Sequence, residues 1–282
     1  MKEYHILSLS GGKDSTALAF FMKENMPDIF KKTELVFCDT EHELPEIYDY
    51  LNKVEVFLGK PITRIKPYVS FDQIHSIYGF LPHPACRWCT VEMKTKPFRK
   101  HIYDKFNAQG EGCVYLYIGI RADEAHRVKT ATSTDNYINE RFPFVDNNIG
   151  RSDVIKMLED VGVGLPEFYN WKTRSGCYFC FYQSKKDWIN LREQHPDLFK
   201  KAMGYEFYGC EKIKKGSFSW IQNLPLKELI KPENIEKIKM NYEKKQERLK
   251  NKKTPEKLIN MYGAYLVDED EECENTCLFC HL

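Results

Sequence analysis

The sequence has no apolar run long enough to span a bilayer, and its first residues read as a strand rather than as an export signal. It also lacks an excess of charge of either sign, because its 282 residues carry a formal net charge of +1 with 29% charged residues. No global field favours a nucleic acid or an anionic membrane, although a local basic face is compatible with this total. We therefore expect a cytoplasmic protein of one large or two small domains, without a membrane partner.

Two common phosphate-binding signatures are missing from the glycine-containing stretch at residues 8–16, Ser-Leu-Ser-Gly-Gly-Lys-Asp-Ser-Thr. A Walker A loop needs a glycine five residues before the glycine of Gly-Lys, and that position is Leu7. The dinucleotide fingerprint needs three spaced glycines, and only Gly11 and Gly12 are present. The stretch therefore belongs to neither class.

The same stretch nevertheless has the features of a phosphate loop, since a strand candidate (residues 4–7) enters it and a helix candidate (residues 17–23) leaves it. Adjacent glycines allow a tight turn and a close approach of the backbone to a ligand. The first N–H groups of a helix lack intrahelical partners, and the helix dipole adds positive charge there. We predict a phosphate-binding loop with further donors on Ser10, Lys13, Ser15 and Thr16. An ordinary glycine turn is the alternative.

Further strand candidates alternate with helix candidates, which is typical of a parallel sheet. The strands are predicted at residues 34–38, 62–65 and 114–120, and a strand end at residues 141–145. Helices are predicted at residues 47–58, 90–106, 185–203 and 232–250, with a helix from Ser152 or Asp153 to Asp160 and a polar loop at residues 128–141. We expect the lysine-rich helix at 232–250 to be solvated rather than to be a nucleic-acid arm.

These elements predict an α/β fold with a doubly wound, mostly parallel sheet and a mainly helical carboxyl-terminal region. The predicted domains are residues 1–182, which bind the nucleotide and hold a cysteine cluster, and residues 183–282, which are helical with a cysteine-rich tail. In such sheets ligands bind beyond the carboxyl ends of the strands, at the switch point.

Charged residues follow two of the predicted strands. Asp39 lies one residue after the second strand, where it would contact a ribose or Mg²⁺, or cap the next helix. Arg121 and Arg127 follow the strand at residues 114–120, and a guanidinium group grips phosphate or sulfate in a bidentate manner. An ion pair of Arg121 with Asp123 or Glu124 at the surface is the alternative.

Three residues are the catalytic candidates. Lys13 would neutralise phosphate charge as the bond between the α- and β-phosphates is attacked, and Arg121 would assist it. Asp14 would orient the loop or a Mg²⁺ ion, and as a first-turn carboxylate it contributes ~0.3–1 kcal/mol to the helix in any case. The complete set of predicted nucleotide contacts is Ser8, Ser10, Gly11, Gly12, Lys13, Asp14, Ser15, Thr16, Asp39, Arg121 and Arg127.

Ten cysteines in a chain without an export signal argue against a disulfide framework. Four of them form two Cys-x-x-Cys pairs, Cys86 with Cys89 and Cys177 with Cys180. Four thiolates suit a [4Fe–4S] cluster or a tetrahedral zinc ion, and sequence spacing does not separate the two metals. Redox-active or unligated thiols are the third alternative.

A further cysteine group comprises Cys273, Cys277 and Cys280, and it has the spacing of a radical-SAM cluster loop. That loop normally opens a different fold, so we reject the interpretation. A second metal site completed by His281, a mobile redox thiol and a disordered tail are the alternatives.

The order of these motifs resembles that of a known family. Ser-Gly-Gly-Lys-Asp-Ser at residues 10–15 is similar to the pyrophosphate loop of the PP-loop ATP pyrophosphatase superfamily, whose fold is described as HUP or adenine nucleotide alpha hydrolase-like. The segments at residues 37–46, 89–98, 119–127 and 142–154, followed by Gly176-Cys177-x-x-Cys180, resemble those of the PAPS reductase family in the same order. The likeness covers residues 4–182.

The chain departs from the family pattern at three places. The family's tryptophan is missing near residues 147–148, and Ala125 stands where the family has serine. The family's adjacent cysteines are spread into Cys86-x-x-Cys89, a spacing that looks more like the DNA-phosphorothioation sulfurtransferases and related phage and plasmid branches.

The resemblance implies an enzyme that binds ATP, or the adenylyl sulfates PAPS or APS, at residues 8–16, with Mg²⁺ as a further ligand. It favours a [4Fe–4S] cluster at the four paired cysteines, with zinc as the alternative. Sulfur would be transferred to an adenylylated acceptor, either a nucleic acid or a small molecule, from a donor such as a cysteine desulfurase. The alternatives are reduction of PAPS or APS to sulfite with Cys280 as nucleophile, and a nucleotide-sensing subunit of a defence or DNA-modification complex.

Overall fold

A computed structural model of the protein describes residues 2–106, 112–130, 135–212 and 219–251. The strands are β1 (Lys2–Leu9), β2 (Thr33–Cys38), β3 (Ile62–Ile65), β4 (Gly112–Tyr117) and β5 (Ile138–Arg141). The α-helices are α1 (Lys13–Asn25), α2 (Pro27–Lys32), α3 (Pro45–Leu58), α4 (Phe71–Tyr78), α5 (Trp88–Thr90), α6 (Lys96–Phe106), α7 (Pro143–Asp146), α8 (Arg151–Asp160), α9 (Lys185–Gln194), α10 (Pro196–Lys212), α11 (Leu226–Leu229) and α12 (Pro232–Asn251). A π-helix at Val91–Thr95 joins α5 to α6, and 3₁₀ helices lie at Ala122–Thr130 and Glu167–Asn170.

The five strands form one parallel sheet in the order β3-β2-β1-β4-β5. In the centre, His5 of β1 pairs with Thr33 of β2 on one side and with Tyr115 of β4 on the other. The chain runs outward from β1 to β3 and then returns to place β4 beside β1. The switch point therefore lies between β1 and β4, which confirms the predicted doubly wound sheet.

The sheet is covered because its central strands are apolar along most of their length. On one face Phe98 and Ile102 of α6 pack with Ile6, Val36 and Leu116, and all five side chains are buried. Each such burial contributes about 1.5–3 kcal/mol. This core places the carboxyl ends of β1 and β4 side by side.

The structure corrects the predictions around β5. Residues 138–141 form a strand instead of part of a polar loop, because they pair with β4 although only Ile138 is a buried apolar residue there. The predicted strand end at residues 141–145 contains α7, which begins at Pro143, a favoured first helical residue. Neither segment has the alternating pattern that identifies a strand.

Two helix boundaries also differ from the predictions. The residue that caps α8 is Gly150 rather than the predicted Ser152 or Asp153, and the Asp153 carboxylate accepts a hydrogen bond from the Gly150 N–H at 2.9 Å. The helix predicted at residues 185–203 divides at His195, because Pro196 starts α10.

The chain divides into two compact units. Unit 1 contains the described residues of 1–71 and 88–167, including the whole sheet, and unit 2 contains residues 72–87 and the described residues from 168 onward. The sequence-based division after residue 182 stays a prediction. Within the described ranges, every helix falls short of the length and apolar character that crossing a membrane requires.

Candidate functional site

The loop between β1 and α1 is built around two glycines. Gly12 precedes α1 in an extended conformation, and no side chain caps the helix. Gly11 has a φ of 70°, and a Cβ atom there would lie 2.6 Å from Cγ2 of Ile47. Gly11 is therefore needed for this turn. The residue before α1, Gly12, has no side chain with which to cap the first N–H groups of the helix.

The hydroxyl groups of the loop hold it closed. The Ser10 N–H donates to Oγ of Ser15 at 3.1 Å, and the two Oγ atoms are also 3.1 Å apart. Ser15 Oγ donates in turn to the carbonyl of Gly12 at 3.4 Å. Thr16 is fully buried, and its Oγ1 has no hydrogen-bond partner among the described residues. Such an atom in the first turn of α1 suits a contact with a ligand or a water molecule.

Two cations hold the carboxylate of Asp14. Lys13 Nζ lies 3.1 Å from Oδ2, and Arg121 Nη1 lies 3.0 Å from Oδ1. Burial alone would raise the pKa of Asp14, but the charges of Lys13 and Arg121 and their hydrogen bonds lower it to about 2. Asp14 is therefore ionised at neutral pH, and it connects α1 to the segment that follows β4.

The other nitrogens of Arg121 also contact carboxylates. Nε and Nη2 donate to Asp123 at 3.0–3.2 Å, and Nη2 donates to Glu124 at 2.8 Å. Glu124 also accepts from Nη1 of Arg127 at 2.6 Å. Burial would lower the pKa of Arg121, yet Asp14 and these two carboxylates raise it above its ordinary value.

The ion pairs of Arg121 with Asp123 and Glu124 that the sequence offered as an alternative are present, but Arg121 is buried rather than at the surface. The Arg121 side chain is only 4% exposed, and its partners include Asp14, 107 positions away, as well as its neighbours. A phosphate or sulfate group at this place would therefore compete with carboxylates for the guanidinium group.

Gly119 brings two backbone segments into contact at the switch point. A Cβ atom added to it would lie 2.9 Å from the carbonyl carbon of Asp14 and 3.0 Å from the nitrogen of Ser15. These are backbone atoms at the start of α1, which cannot rotate away as a side chain would. Position 119, two residues after the end of β4, must therefore be small for α1 to begin where it does.

Asp39 stabilises the turn after β2. Its N–H donates to the carbonyl of Ile65, and its Oδ1 accepts from the Glu41 N–H at 2.9 Å and from Tyr48 Oη at 2.7 Å. Glu41 has a left-handed φ of 62°, so this turn is strained and needs such support. Because α3 begins only at Pro45 and has no side-chain cap, the helix-capping alternative for Asp39 was wrong.

The sequence reasoning missed a group of buried polar residues next to Asp39. Thr40 Oγ1 donates to Glu43 Oε1 at 3.0 Å, and Nδ1 of His42 lies 2.9 Å from the Thr40 carbonyl oxygen. All three side chains are buried. The available signal was a run of polar residues directly after the apolar stretch at residues 35–38.

Cys38 is a core residue. It is fully buried at the end of β2, and burial raises the pKa of its thiol to about 12, even though the charge of Lys94 acts in the opposite direction. Its thiol is therefore protonated at neutral pH.

The four paired cysteines are all half-buried. In unit 2, the Cys180 N–H donates to the carbonyl of Cys177 at 3.1 Å, and Cys86 exchanges two backbone hydrogen bonds with His83. Cys89 lies in α5 of unit 1. Among the described residues there is no group of three or more His, Cys, Asp and Glu side chains that could hold a metal ion, so the thiolate site stays a prediction.

The predicted residues near the carboxyl terminus, Cys273, Cys277, Cys280 and His281, lie outside the described residues.

The sheet order, with a glycine loop and an uncapped helix at its switch point, defines an α/β domain of the HUP-like class. Residues 4–182 match the phosphoadenosine phosphosulfate reductase domain, and the chain belongs to this family. The resemblance inferred from the order of the sequence motifs is thereby confirmed.

Two curated relatives are similar to the chain. It is 26% identical over 257 residues to an uncharacterized protein of Methanocaldococcus jannaschii, and the match covers 86% of this chain and 57% of that protein. It is 30% identical over 151 residues to an uncharacterized nin region protein of Escherichia phage lambda, and this match covers 44% of this chain and 50% of that protein. The chain therefore spans about half the length of the curated relatives it matches.

Two solved structures are similar to the chain. The PAPS reductase from Candida auris in its phosphate complex is 17% identical with a TM-score of 0.46, covering 63% of this chain and 81% of that chain. The U34-tRNA thiolase NcsA from Methanococcus maripaludis with its [4Fe-4S] cluster is 19% identical with a TM-score of 0.40, and the match covers 75% of this chain and 73% of that chain.

Proposed function

We propose that the protein is an enzyme that binds an adenine nucleotide at the start of α1 and uses it to activate an acceptor for sulfur transfer. The nucleotide is ATP, with the adenylyl sulfates PAPS and APS as alternatives. The observation that carries the proposal is the uncapped start of α1, placed at the switch point and joined to the end of β4 by Arg121 and Asp14. Membership of the phosphoadenosine phosphosulfate reductase domain family supports an adenine nucleotide as the ligand.

The residues of the loop have distinct roles in this proposal. The phosphates accept hydrogen bonds from the first N–H groups of α1 and from the Thr16 hydroxyl, which lacks a partner among the described residues. An oxygen of the acceptor attacks the α-phosphorus, the bond to the β-phosphate breaks, and pyrophosphate leaves with the bonding electron pair. Lys13 stabilises the charge that develops on the leaving pyrophosphate.

Asp14 is a positioning residue in this scheme. Its carboxylate already binds Lys13 and Arg121, so it orients both cations toward the start of α1. A Mg²⁺ ion brought by the nucleotide prefers oxygen ligands and usually keeps several waters. The ionised Asp14 and the buried Asp39 are the proposed carboxylates for it.

The paired cysteines are the proposed ligands of a [4Fe–4S] cluster, with zinc as the alternative. Four thiol donors suit both groups, and the half-buried state of each thiol leaves it accessible. An iron–sulfur cluster would supply a metal centre for the sulfur chemistry, whereas the activation step described above depends only on residues of unit 1. Anaerobic purification followed by iron, sulfide and zinc analysis tests this part by itself.

Nucleotide binding and pyrophosphate release test the proposal. We expect calorimetric titration to show binding of ATP but not of GTP, and we expect labelled ATP to release pyrophosphate when the acceptor is present. Lys13→Gln should weaken both, whereas Lys23→Gln removes the same charge from the last turn of the same helix and should change neither. The proposal is overturned if Lys13→Gln and Lys23→Gln behave alike, or if no acceptor of either class yields pyrophosphate.

The family itself favours a second candidate, reduction of PAPS or APS. In that reaction two thiols become a disulfide, the sulfate group leaves as sulfite, and the adenosine phosphate is released. Cys280 is the proposed nucleophile. Sulfite formed from PAPS and a dithiol, and lost in Cys280→Ser, would favour this reaction over sulfur transfer. Tight ATP binding without turnover of any substrate would instead favour the nucleotide-sensing role.

A further inference from the structure

A groove in unit 2 is lined by the start of α9 and by one face of α12. Its volume is about 420 Å³, and four of its lining residues are lysines: Lys185, Lys186, Lys237 and Lys245. None of the described residues that line it is acidic. We call it the cationic groove.

The acidic residues of α12 lie away from the groove. The residues that line the groove recur every three or four positions from Asn234 to Lys245, so they share one face. At 100° per residue, the acidic residues fall on the opposite side of the helix, namely Glu233, Glu236, Glu243 and Glu247. Arg248 extends the basic face by one turn beyond Lys245. The protein therefore has a local basic surface, although its total charge is close to zero.

An aromatic contact keeps one of these charges at the groove. Nζ of Lys186 lies 3.4 Å from the ring centroid of Tyr242, so a cation–π interaction connects α9 with α12. The first turn of α9 is already capped, since Ser184 Oγ accepts from the Asp187 N–H at 3.1 Å. The lysine side chains, rather than the helix terminus, are therefore what would attract an anion.

The spacing of the lysines suits a polyanion better than a single anion. Lys245 lies eight positions after Lys237, which is about 12 Å along a helix. One strand of a nucleic acid duplex carries a negative charge about every 3.4 Å along its axis, so several phosphates would fit beside this row. A single phosphate would contact only one end of it.

We infer that the cationic groove binds the phosphodiester backbone of a nucleic acid, and that this nucleic acid is the acceptor of the activation reaction. Only the statement that this nucleic acid is the acceptor rests on the proposed function. The lysines of the groove contact phosphates and therefore orient the acceptor without reading its sequence. The sequence alone favours a solvated helix here, because the lysines of α9 meet those of α12 only in the folded protein.

Fluorescence anisotropy with the full chain tests the inference. The probes are a labelled RNA hairpin, a DNA duplex and a single-stranded DNA of equal length, each titrated at 50 and 200 mM NaCl. The double variant Lys237→Gln/Lys245→Gln should weaken binding of at least one probe about tenfold, and it should lower the salt-dependence slope by about 2. The preferred probe distinguishes RNA from DNA.

The matched control is Lys239→Gln/Lys244→Gln, which removes two charges from the same helix at positions that do not line the groove. This control should leave affinity and salt slope near those of the unchanged chain. The inference is overturned if both pairs weaken binding equally, if none of the three probes binds at 50 mM NaCl, or if vesicles of anionic lipid bind in their place. ATP binding is measured in the same preparations. If ATP binding is lost, the result counts against the nucleotide site in unit 1. If ATP binds but no nucleic acid does, only the inference about the groove fails.

Discussion

Arg121 Nη1 donates a hydrogen bond to Asp14 Oδ1 over 3.0 Å, and this ion pair bridges the switch point between β4 and α1. Both residues follow strand ends that are neighbours in the sheet although they are 107 positions apart in the chain. The pair therefore couples the position of the phosphate loop to the position of the segment after β4. Substitutions at this junction should affect stability and nucleotide binding together.

Replacement of Arg121 by alanine should strongly destabilise unit 1. It removes the cation that three carboxylates share, and breaking a buried ion pair by removing one partner costs about 3–5 kcal/mol. Because Asp14 and Asp123 are partly exposed, we expect the lower end of this range. Urea unfolding followed by circular dichroism measures the change. Arg121→Lys should recover part of the loss, and a change below about 0.5 kcal/mol for Arg121→Ala would contradict the network described above.

Asp14 should make the stability of the protein depend on acid pH. Its pKa is lowered from 3.8 to about 2 in the folded state, so the folded state favours the ionised form. The resulting stabilisation of about 2 kcal/mol is present above pH ~4 and is lost as the pH falls toward 2. Urea titrations from pH 5 down to pH 2.5 should show this decline, and Asp14→Asn should reduce it. Asp28→Asn is the control, because Asp28 pairs with Lys31 in an exposed position and should leave the decline unchanged.

Gly119→Ala should displace the start of α1. The added methyl group would meet backbone atoms of Asp14 and Ser15 at about 3.0 Å, so the two segments must move apart at a cost of about 1–3 kcal/mol. We also expect weaker ATP binding in calorimetric titration. The control is Gly204→Ala in α10, where a Cβ atom meets nothing within 4 Å and where alanine should stabilise the helix by about 0.5–1 kcal/mol. If Gly119→Ala binds ATP as well as the unchanged chain does, the contact between Gly119 and the start of α1 is not needed for nucleotide binding.

Glu206 should make unit 2 less stable as the pH rises through neutrality. Burial raises its pKa to about 7, although hydrogen bonds from the N–H groups of Trp220 and Leu226 act in the opposite direction. Because the folded-state pKa lies above the ordinary value of 4.5, the folded state binds the proton more tightly. Stability is then greatest below pH ~4.5 and falls by up to about 3 kcal/mol as the pH rises past 7.

Thermal unfolding at pH 5.5 and pH 8, followed by tryptophan fluorescence, measures this effect. Glu206→Gln should unfold at nearly the same temperature at both pH values. It should also be less stable than the unchanged chain at pH 5.5, because the N–H groups of Trp220 and Leu226 contact different oxygens of Glu206, and the NH₂ group that replaces one of them cannot accept a hydrogen bond. Glu233→Gln on the exposed side of α12 should retain the pH dependence of the unchanged chain.

Much of unit 1 could be predicted because its signals are local. The apolar runs of β1, β2 and β3 are short and bounded by turn residues, and Gly11 and Gly12 identify the loop between β1 and α1. Where the local signal was weak, the prediction was wrong: β5 has a single buried apolar residue, and pairing with β4 determines its structure. The pairing of β5 with a distant strand cannot be predicted from the residue pattern of β5 alone.

The sequence by itself determined the class of sheet, the position of the phosphate loop and the family, because these follow from apolar periodicity, glycine and the order of motifs. Only the tertiary structure decided which charges meet. Arg121 is enclosed by three carboxylates, Asp39 supports the turn of Glu41, and the lysines of α9 join those of α12 in one groove. The energy of an electrostatic contact depends on the distance between the two charges in space. Residues that are far apart in the chain come close together only when the protein folds.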